Sequence, residues 1–285
     1  MTAIRLAAVA AALLAAVPAA AQSVDQSSAL QPLPDPNDRS DYLRIGVGAA
    51  FVPDYEGSDD HRIIPGAVLQ ARTGGISIFS RGTYLYADLV DRPGKVDLDV
   101  GPIVGVRLNR TGKVKDDRVD ALPELNTGFE VGAFGGVTFH GLTNPYDALS
   151  FRLDAVKDLG NAHESWVVTP TAEFGTPLSR TVYVGVSASA DYVSGKYNDY
   201  YFGISPAGAL ASGLPAYNPS GGGLKSWQLG ALTGLSLSGD LRKGWGLFGS
   251  ANYKRLTGDA GDSPIVRIAG SRSQWLLAAG VGYSF

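Results

Sequence analysis

The chain has 285 residues with 37 Gly, no Cys, 18% charged residues and a formal net charge of -3. The Gly share, about 13% (37 of 285), is roughly twice the globular norm, and the charged share falls below the usual quarter; an ordinary cytosolic enzyme is a poor match. Without Cys there are no disulfides, thiolate nucleophiles or cysteine metal sites, and the slight acidity leaves no basic footprint for nucleic acid.

Residues 1–21 place Arg5 ahead of the apolar run Leu6 to Val17, followed by Pro18 and Ala19-Ala20-Ala21. This is the layout of a secretory signal peptide with an A-x-A cleavage site, so the mature chain is expected to start at Gln22. The run is too short for a membrane anchor, and no later stretch approaches the ~20 apolar residues of a helical span. Residues 22–41 hold Pro32, Pro34 and Pro36 among Ser, Gln and Asp, too polar to build a core, and read as a flexible periplasmic leader. Residues 42–285 contain no comparable linker and are expected to form one domain.

That domain alternates with a period of two, as strands with two different faces require. From Val96 to Leu108 the even positions are apolar (Val96, Leu98, Val100, Val104, Val106), whereas the odd ones include Asp97, Asp99, Gly101 and Arg107. The same split sets Phe129, Val131 and Ala133 against Glu130 and Gly132. It also sets Val182, Val184 and Val186 against Gly185, Ser187 and Asp191, and Trp245, Leu247 and Tyr253 against Gly246, Asn252 and Lys254. A soluble sandwich alternates too, but these strands are longer than the usual five or six residues, and aromatics mark the ends of their apolar faces. Both features point to an all-β fold, a single antiparallel transmembrane β-barrel with lipid outside and a polar lumen. The last strand gives a dimensional check: Trp275, Leu277, Ala279, Val281, Tyr283 and Phe285 form a stripe of ten residue steps. At about 3.3 Å per residue and a tilt near 40°, it climbs roughly 25 Å, the height of an outer-membrane apolar band.

In chain order the expected strands are 42–53, 62–73, an ambiguous stretch 75–90, then 96–110, 127–140, 147–157, 164–176, 181–194, 225–239, 243–256 and 272–285. Connections 54–61, 111–126, 158–163, 195–224 and 257–271 would face outside, and short turns at 141–146, 177–180 and 240–242 would face the periplasm. Ile76, Ile78, Tyr84 and Tyr86 keep one phase through Gly82, which favours a single strand and a total of eleven. Termini on the same side and an even strand number favour a turn at Arg81-Gly82 and a total of twelve. Twelve is the expected count, with ten as the alternative.

The inward sets and their neighbours give Arg44, Arg72, Arg107, Arg152 and Lys254 against Asp97, Asp99, Glu130, Asp154, Glu173 and Asp191. Five basic and six acidic groups nearly cancel, whereas an ion-selective pore shows an excess of one sign. Charges in a narrow interior are costly unless paired, so the expectation is a cross-barrel network that stiffens the lumen. A transverse field guiding small polar solutes is the rival.

For catalysis the imidazole bases are His61, His140 and His163. The sequence His163-Glu164-Ser165 puts a base beside a serine, but neighbours on a strand point to opposite faces, and a non-enzymatic protein is expected. Asp54, Glu56, Asp59 and Asp60 crowd the first outer loop, and Asp259 and Asp262 the last. Oxygen-rich loops suit hard cations; the plainer reading is a solvated acidic loop, with no metal or cofactor. The aromatics Tyr197, Tyr200, Tyr201, Phe202 and Tyr217 of the longest loop either fold inward as a plug or present an outer contact surface.

Four stretches carry a family likeness: Pro53-Asp54-Tyr55-Glu56-Gly57-Ser58-Asp59, Tyr201-Phe202-Gly203-Ile204-Ser205, Leu256 through Val266 (LTGDAGDSPIV), and Gly282-Tyr283-Ser284-Phe285. They resemble the MipA/OmpV family of outer-membrane proteins, and the likeness covers essentially the whole mature chain. The terminal Phe285, with Trp275, Leu277, Val281 and Tyr283 at alternate positions before it, is also similar to the C-terminal signature by which such barrels reach their insertion machinery. The resemblance implies a Gram-negative outer-membrane barrel among lipid and lipopolysaccharide. It also implies a scaffold role, from a member thought to bridge a lytic murein transglycosylase and a penicillin-binding murein synthase in peptidoglycan biosynthesis. Other members are described as adhesins or as routes for small solutes, so a narrow channel and a surface adhesin stand as alternatives. No partner-binding position is carried over.

Overall fold

The computed structural model describes residues 40–90 and 94–285; the signal peptide and nearly all of the leader lie outside the described residues. Twelve antiparallel strands close into one barrel: β1 (Tyr42–Pro53), β2 (His61–Thr73), β3 (Ile76–Arg81), β4 (Tyr84–Asp88), β5 (Val96–Arg107), β6 (Gly128–His140), β7 (Ala148–Asp158), β8 (Trp166–Pro177), β9 (Val182–Val193), β10 (Gly223–Ser236), β11 (Gly244–Leu256) and β12 (Ser273–Ser284). Every strand pairs with its sequence neighbours, and β12 returns to β1 with Arg44 opposite Ser284. Closure removes the edges of the first and last strands, but the short β3–β4 hairpin covers only part of β2, which pairs with β3 through Gln70–Thr73 and is paired on the β1 side alone above that.

The hairpin at Gly82-Thr83 makes the count twelve rather than eleven or ten. Gly82 sits at φ 54, a left-handed conformation that glycine adopts without steric cost. The two-residue turn sets Arg81 opposite Tyr84 and Phe79 opposite Tyr86, so the inward phase switches from odd to even positions. Tyr84 and Tyr86 therefore point into the lumen and are almost fully buried, although they share their phase with outward Ile76 and Ile78.

The register climbs as it circles the wall. Starting level with Tyr42 and passing through Arg72, Ser77, Asp88 and onward, one circuit ends level with Glu56, about fourteen residues further along the chain (56 minus 42). Such a stagger goes with a strand tilt of roughly 40°.

The two faces differ as lipid and lumen demand. Val47, Leu229, Leu247 and Leu277 stand exposed on the outer face, whereas the large buried side chains (Tyr86, Ile103, Tyr197, Tyr201, Phe202) lie inside. Aromatics gather at both ends of the last three strands. Trp227, Tyr253 and Trp275 pack in a row at the outer end, and Trp245, Tyr283 and Phe285 at the periplasmic end. Inward glycines make room for rings on the neighbouring strand. A Cβ on Gly280 would sit 2.3 Å from Phe248, and one on Gly105 would sit 2.2 Å from the Tyr84 ring.

The outer loops carry short helices: α1 (Asp117–Asp120), α2 (Gly195–Phe202), α3 (Pro206–Ser212), α4 (Gly258–Asp262) and α5 (Pro264–Arg267). Local sequence dictates the pair in the longest loop. Ser194 caps α2 by accepting from the Tyr197 N–H. Ser205 caps α3 in the same way ahead of Pro206, and Gly213 ends α3 at φ 71.

Candidate functional site

The lumen is crossed at two levels. At mid-height Arg81 of β3 reaches across to Glu173 of β8 and donates two parallel hydrogen bonds of 2.9 Å. Arg152 donates to Asp154 at 2.7 Å and lies 3.7 Å from Glu173. Asp154 also accepts from the Tyr86 hydroxyl at 2.9 Å. Phe79, Tyr86 and Phe134 pack ring on ring beside these charges.

Nearer the outer end, Arg107 donates to both oxygens of Glu130, at 2.6 and 3.1 Å, and Tyr84 donates to the same carboxylate at 2.7 Å. Beside them Lys225, wholly buried, lies 2.6 Å from Glu56 and 3.2 Å from Asp191, with Lys254 at 3.5 and 3.6 Å from the same two carboxylates. Asp191 also accepts from Thr169 at 2.8 Å and Ser226 at 3.1 Å. Burial works to raise the Glu56 carboxyl, but Lys225 and Lys254 outweigh it and hold it at about 2.

Helix α2 lies over this layer. The aromatics of the longest loop fold inward: Tyr197, Tyr201 and Phe202 are at most 1% exposed. Tyr197 donates to Glu56 at 3.2 Å, accepts from Lys225 and lies under Arg107. Below the mid-height layer, at the periplasmic end, a cavity of about 210 Å³ is bounded by Gln70, Asp97, Asp99, His140, Arg152 and Glu173.

Of the inward charges foreseen from alternation, the structure brings together Arg107 with Glu130, Arg152 with Asp154 and Glu173, and Lys254 with Asp191. Asp97 and Asp99 instead line the periplasmic cavity, Asp99 accepting from Thr138 at 2.8 Å. Arg44 donates to Ser284 at 3.1 Å and lies over Tyr42; it and Arg72 stay near the periplasmic rim.

Three members of these layers were not legible as such. Arg81 sits in the stretch whose phase was ambiguous. Glu56 is a loop residue that dips into the barrel mouth. Lys225 occupies a position in phase with lipid-facing Trp227 and Leu229, but the pairing of β10 with β9 shifts by one between Leu224 and Ser226. This bulge turns Lys225 inward.

The outer-loop carboxylates are spread among separate partners. Asp54 pairs with Arg62 and accepts from the Lys115 N–H. Asp259 accepts from the Ser220 and Gly221 N–H groups, and Asp262 pairs with Arg272. Among the described residues no cluster of three or more acidic or imidazole groups is placed to hold a metal ion.

His163 corrects the sequence reading. Its Nδ1 lies 2.7 Å from the Ser165 hydroxyl and its Nε2 lies 2.9 Å from Glu130, because the segment ahead of β8 is a turn rather than a strand, with Glu164 between them at φ 48. The order serine, imidazole, carboxylate is that of a hydrolytic triad. However, Ser165 is 5% exposed and borders none of the described cavities. Glu130 is already held by Arg107 and Tyr84.

On the outer face a groove of about 610 Å³ runs between the β5–β6 loop and the α2–α3 segment. Leu122, Ile204 and Pro206 form part of its wall, and Arg110 also lines it. Arg110 is 6% exposed and has φ 54. Burial pushes its guanidinium down to about 10, against Tyr55, Tyr200 and Tyr201, which raise it; it remains charged at neutral pH.

The MltA-interacting protein of Escherichia coli (strain K12) is 34% identical over 90 residues, covering 31% of this chain and 32% of that protein. Outer membrane protein Omp26La of Vibrio anguillarum is 37% identical over 98 residues, 34% of each. The chain thus spans about a third of the length of the curated relatives it matches. Among solved structures, the COG4313 outer membrane channel from Pseudomonas putida F1 aligns over 87% of this chain and 96% of its own, with a TM-score of 0.45 and 9% identity. The family described as MltA-interacting protein MipA matches residues 45–285, and this chain, an outer-membrane β-barrel, belongs to it.

Proposed function

We propose that this barrel is a non-enzymatic, closed docking platform in the outer membrane. It would hold a lytic murein transglycosylase at the periplasmic face and, through it, a penicillin-binding murein synthase. The observation that supports a platform over a channel is the double crossing of the lumen: Arg81 to Glu173 at mid-height, and the Lys225 cluster under α2 above it. A permeating solute has to break desolvated ion pairs at both levels, and opening buried pairs is costly. The transglycosylase partner comes from the name of the Escherichia coli relative. A murein enzyme in the periplasm can reach only the short turns, the strand ends and the leader.

The test is a pull-down from detergent-solubilised envelopes, run beside a planar-bilayer current trace. Capture of a lytic transglycosylase with little current supports the reading. Porin-sized currents without capture would sink it in favour of a solute channel. Deleting residues 22–39 should weaken capture if the leader contributes to docking.

A further inference from the structure

Arg110 is a buried cation without an anion. Its Nη2 donates to the Tyr201 carbonyl at 3.1 Å, whereas Nε and Nη1 have no hydrogen-bond partner. No carboxylate among the described residues pairs with it, in contrast to Arg81, Arg107 and Arg152, which each meet one. An uncompensated buried guanidinium is costly, and so is a left-handed backbone at a residue with a long side chain. Both costs fall on one residue, and that residue lines the outer groove. The groove is within the size range of small-molecule sites, which are mostly apolar with a few placed polar groups. Its single carboxylate, Asp199, is exposed.

We propose that this groove binds a small organic anion, whose carboxylate or phosphate offsets the charge of Arg110 and whose apolar body lies along Leu122, Ile204 and Pro206. The anionic group supplies the countercharge that the guanidinium lacks, Nε and Nη1 themselves being closed to solvent. The apolar walls select against a bare inorganic ion. Because the groove opens on the outer face, the ligand arrives from outside the cell, and the site is independent of periplasmic docking.

The test uses the full mature barrel in non-ionic detergent, titrated calorimetrically with benzoate, phenyl phosphate, inorganic phosphate and neutral benzamide. Benzoate or phenyl phosphate should bind, and whichever is tighter identifies the preferred anionic group. Benzamide and inorganic phosphate should each bind at least tenfold more weakly. Arg110→Met should lose the organic anion at least tenfold, while its ligand-free melting temperature stays level or rises because a buried unpaired charge has gone. If Arg110→Met does not fold, Ala216→Trp, which fills the groove and leaves Arg110 intact, should show the same loss. The proposal is overturned if neither organic anion binds more tightly than about 1 mM, if benzamide or inorganic phosphate binds equally well, or if either folded variant keeps wild-type affinity.

Discussion

Replacing Lys225 with Met tests whether the outer layer of the lumen holds the barrel together. The ammonium is buried between Glu56 at 2.6 Å and Asp191 at 3.2 Å. Met keeps most of the side-chain volume but leaves the two carboxylates with Lys254, at 3.5 and 3.6 Å, as their shared cation. Removing one partner of a buried ion pair costs about 3–5 kcal/mol, chiefly because a charge is left uncompensated. At roughly 2–4 °C per kcal/mol for a domain of this size, the melting temperature should fall by roughly 6–20 °C. The assay is thermal unfolding in detergent micelles, followed by the gel-mobility difference between folded and heat-unfolded barrel. Adding Glu56→Gln to Lys225→Met should recover at least half of the loss. Asp191 then keeps Lys254, Thr169 and Ser226 as partners, and no second carboxylate competes for them. A drop of under about 1 kcal/mol in the single variant, or no recovery in the double, would refute the reasoning.

Glu56 gives a pH signature of the same cluster. A carboxyl held at about 2 in the folded state, against about 4.3 when unfolded, contributes about 3 kcal/mol that is present above pH ~4.3 and lost as pH falls towards 2. The stability gap between wild type and Glu56→Gln should therefore be full at neutral pH and shrink across that acidic window; a constant gap would count against it. The two lumen layers act in series, so Arg81→Gln alone and Lys225→Met alone should each leave bilayer current low, whereas the double variant should raise it. Current from either single variant equal to that of the double would show that one layer suffices. Ser165 should resist fluorophosphonate labelling despite its contact with His163, since it is buried and the carboxylate on His163 is already held by Arg107 and Tyr84; stoichiometric labelling of the folded barrel would reopen a catalytic reading. Gly105→Val should push the Tyr84 ring off Glu130 and destabilise the barrel by about 1–3 kcal/mol, read in the same melt.

What alternation makes legible is which face a residue occupies. The stripe from Trp275 to Phe285, the outward valines of β5 and the inward Asp191 and Glu130 follow from parity and from the chemistry of lipid against lumen. Alternation carries no information about level. Whether Arg81 meets Glu173, 92 positions away, depends on how far the register has climbed between β3 and β8, and that climb is the sum of small offsets set at each turn. Parity itself fails where the chain gains or drops a residue. The turn at Gly82-Thr83 inverts the phase of Tyr84 and Tyr86, and the bulge in β10 turns Lys225 from a lipid-facing phase to the centre of the ion cluster. Both exceptions place a polar group or a ring inside the lumen, where ordinary alternation would leave it facing hydrocarbon. The bulge in β10 has no announcing signal in the sequence, because Lys225 lies beyond Trp227 of the outer aromatic row, a level at which a lipid-facing cation costs little. Arg110, outside the membrane, is a different case: a buried guanidinium that no carboxylate among the described residues pairs with calls for an anion from elsewhere.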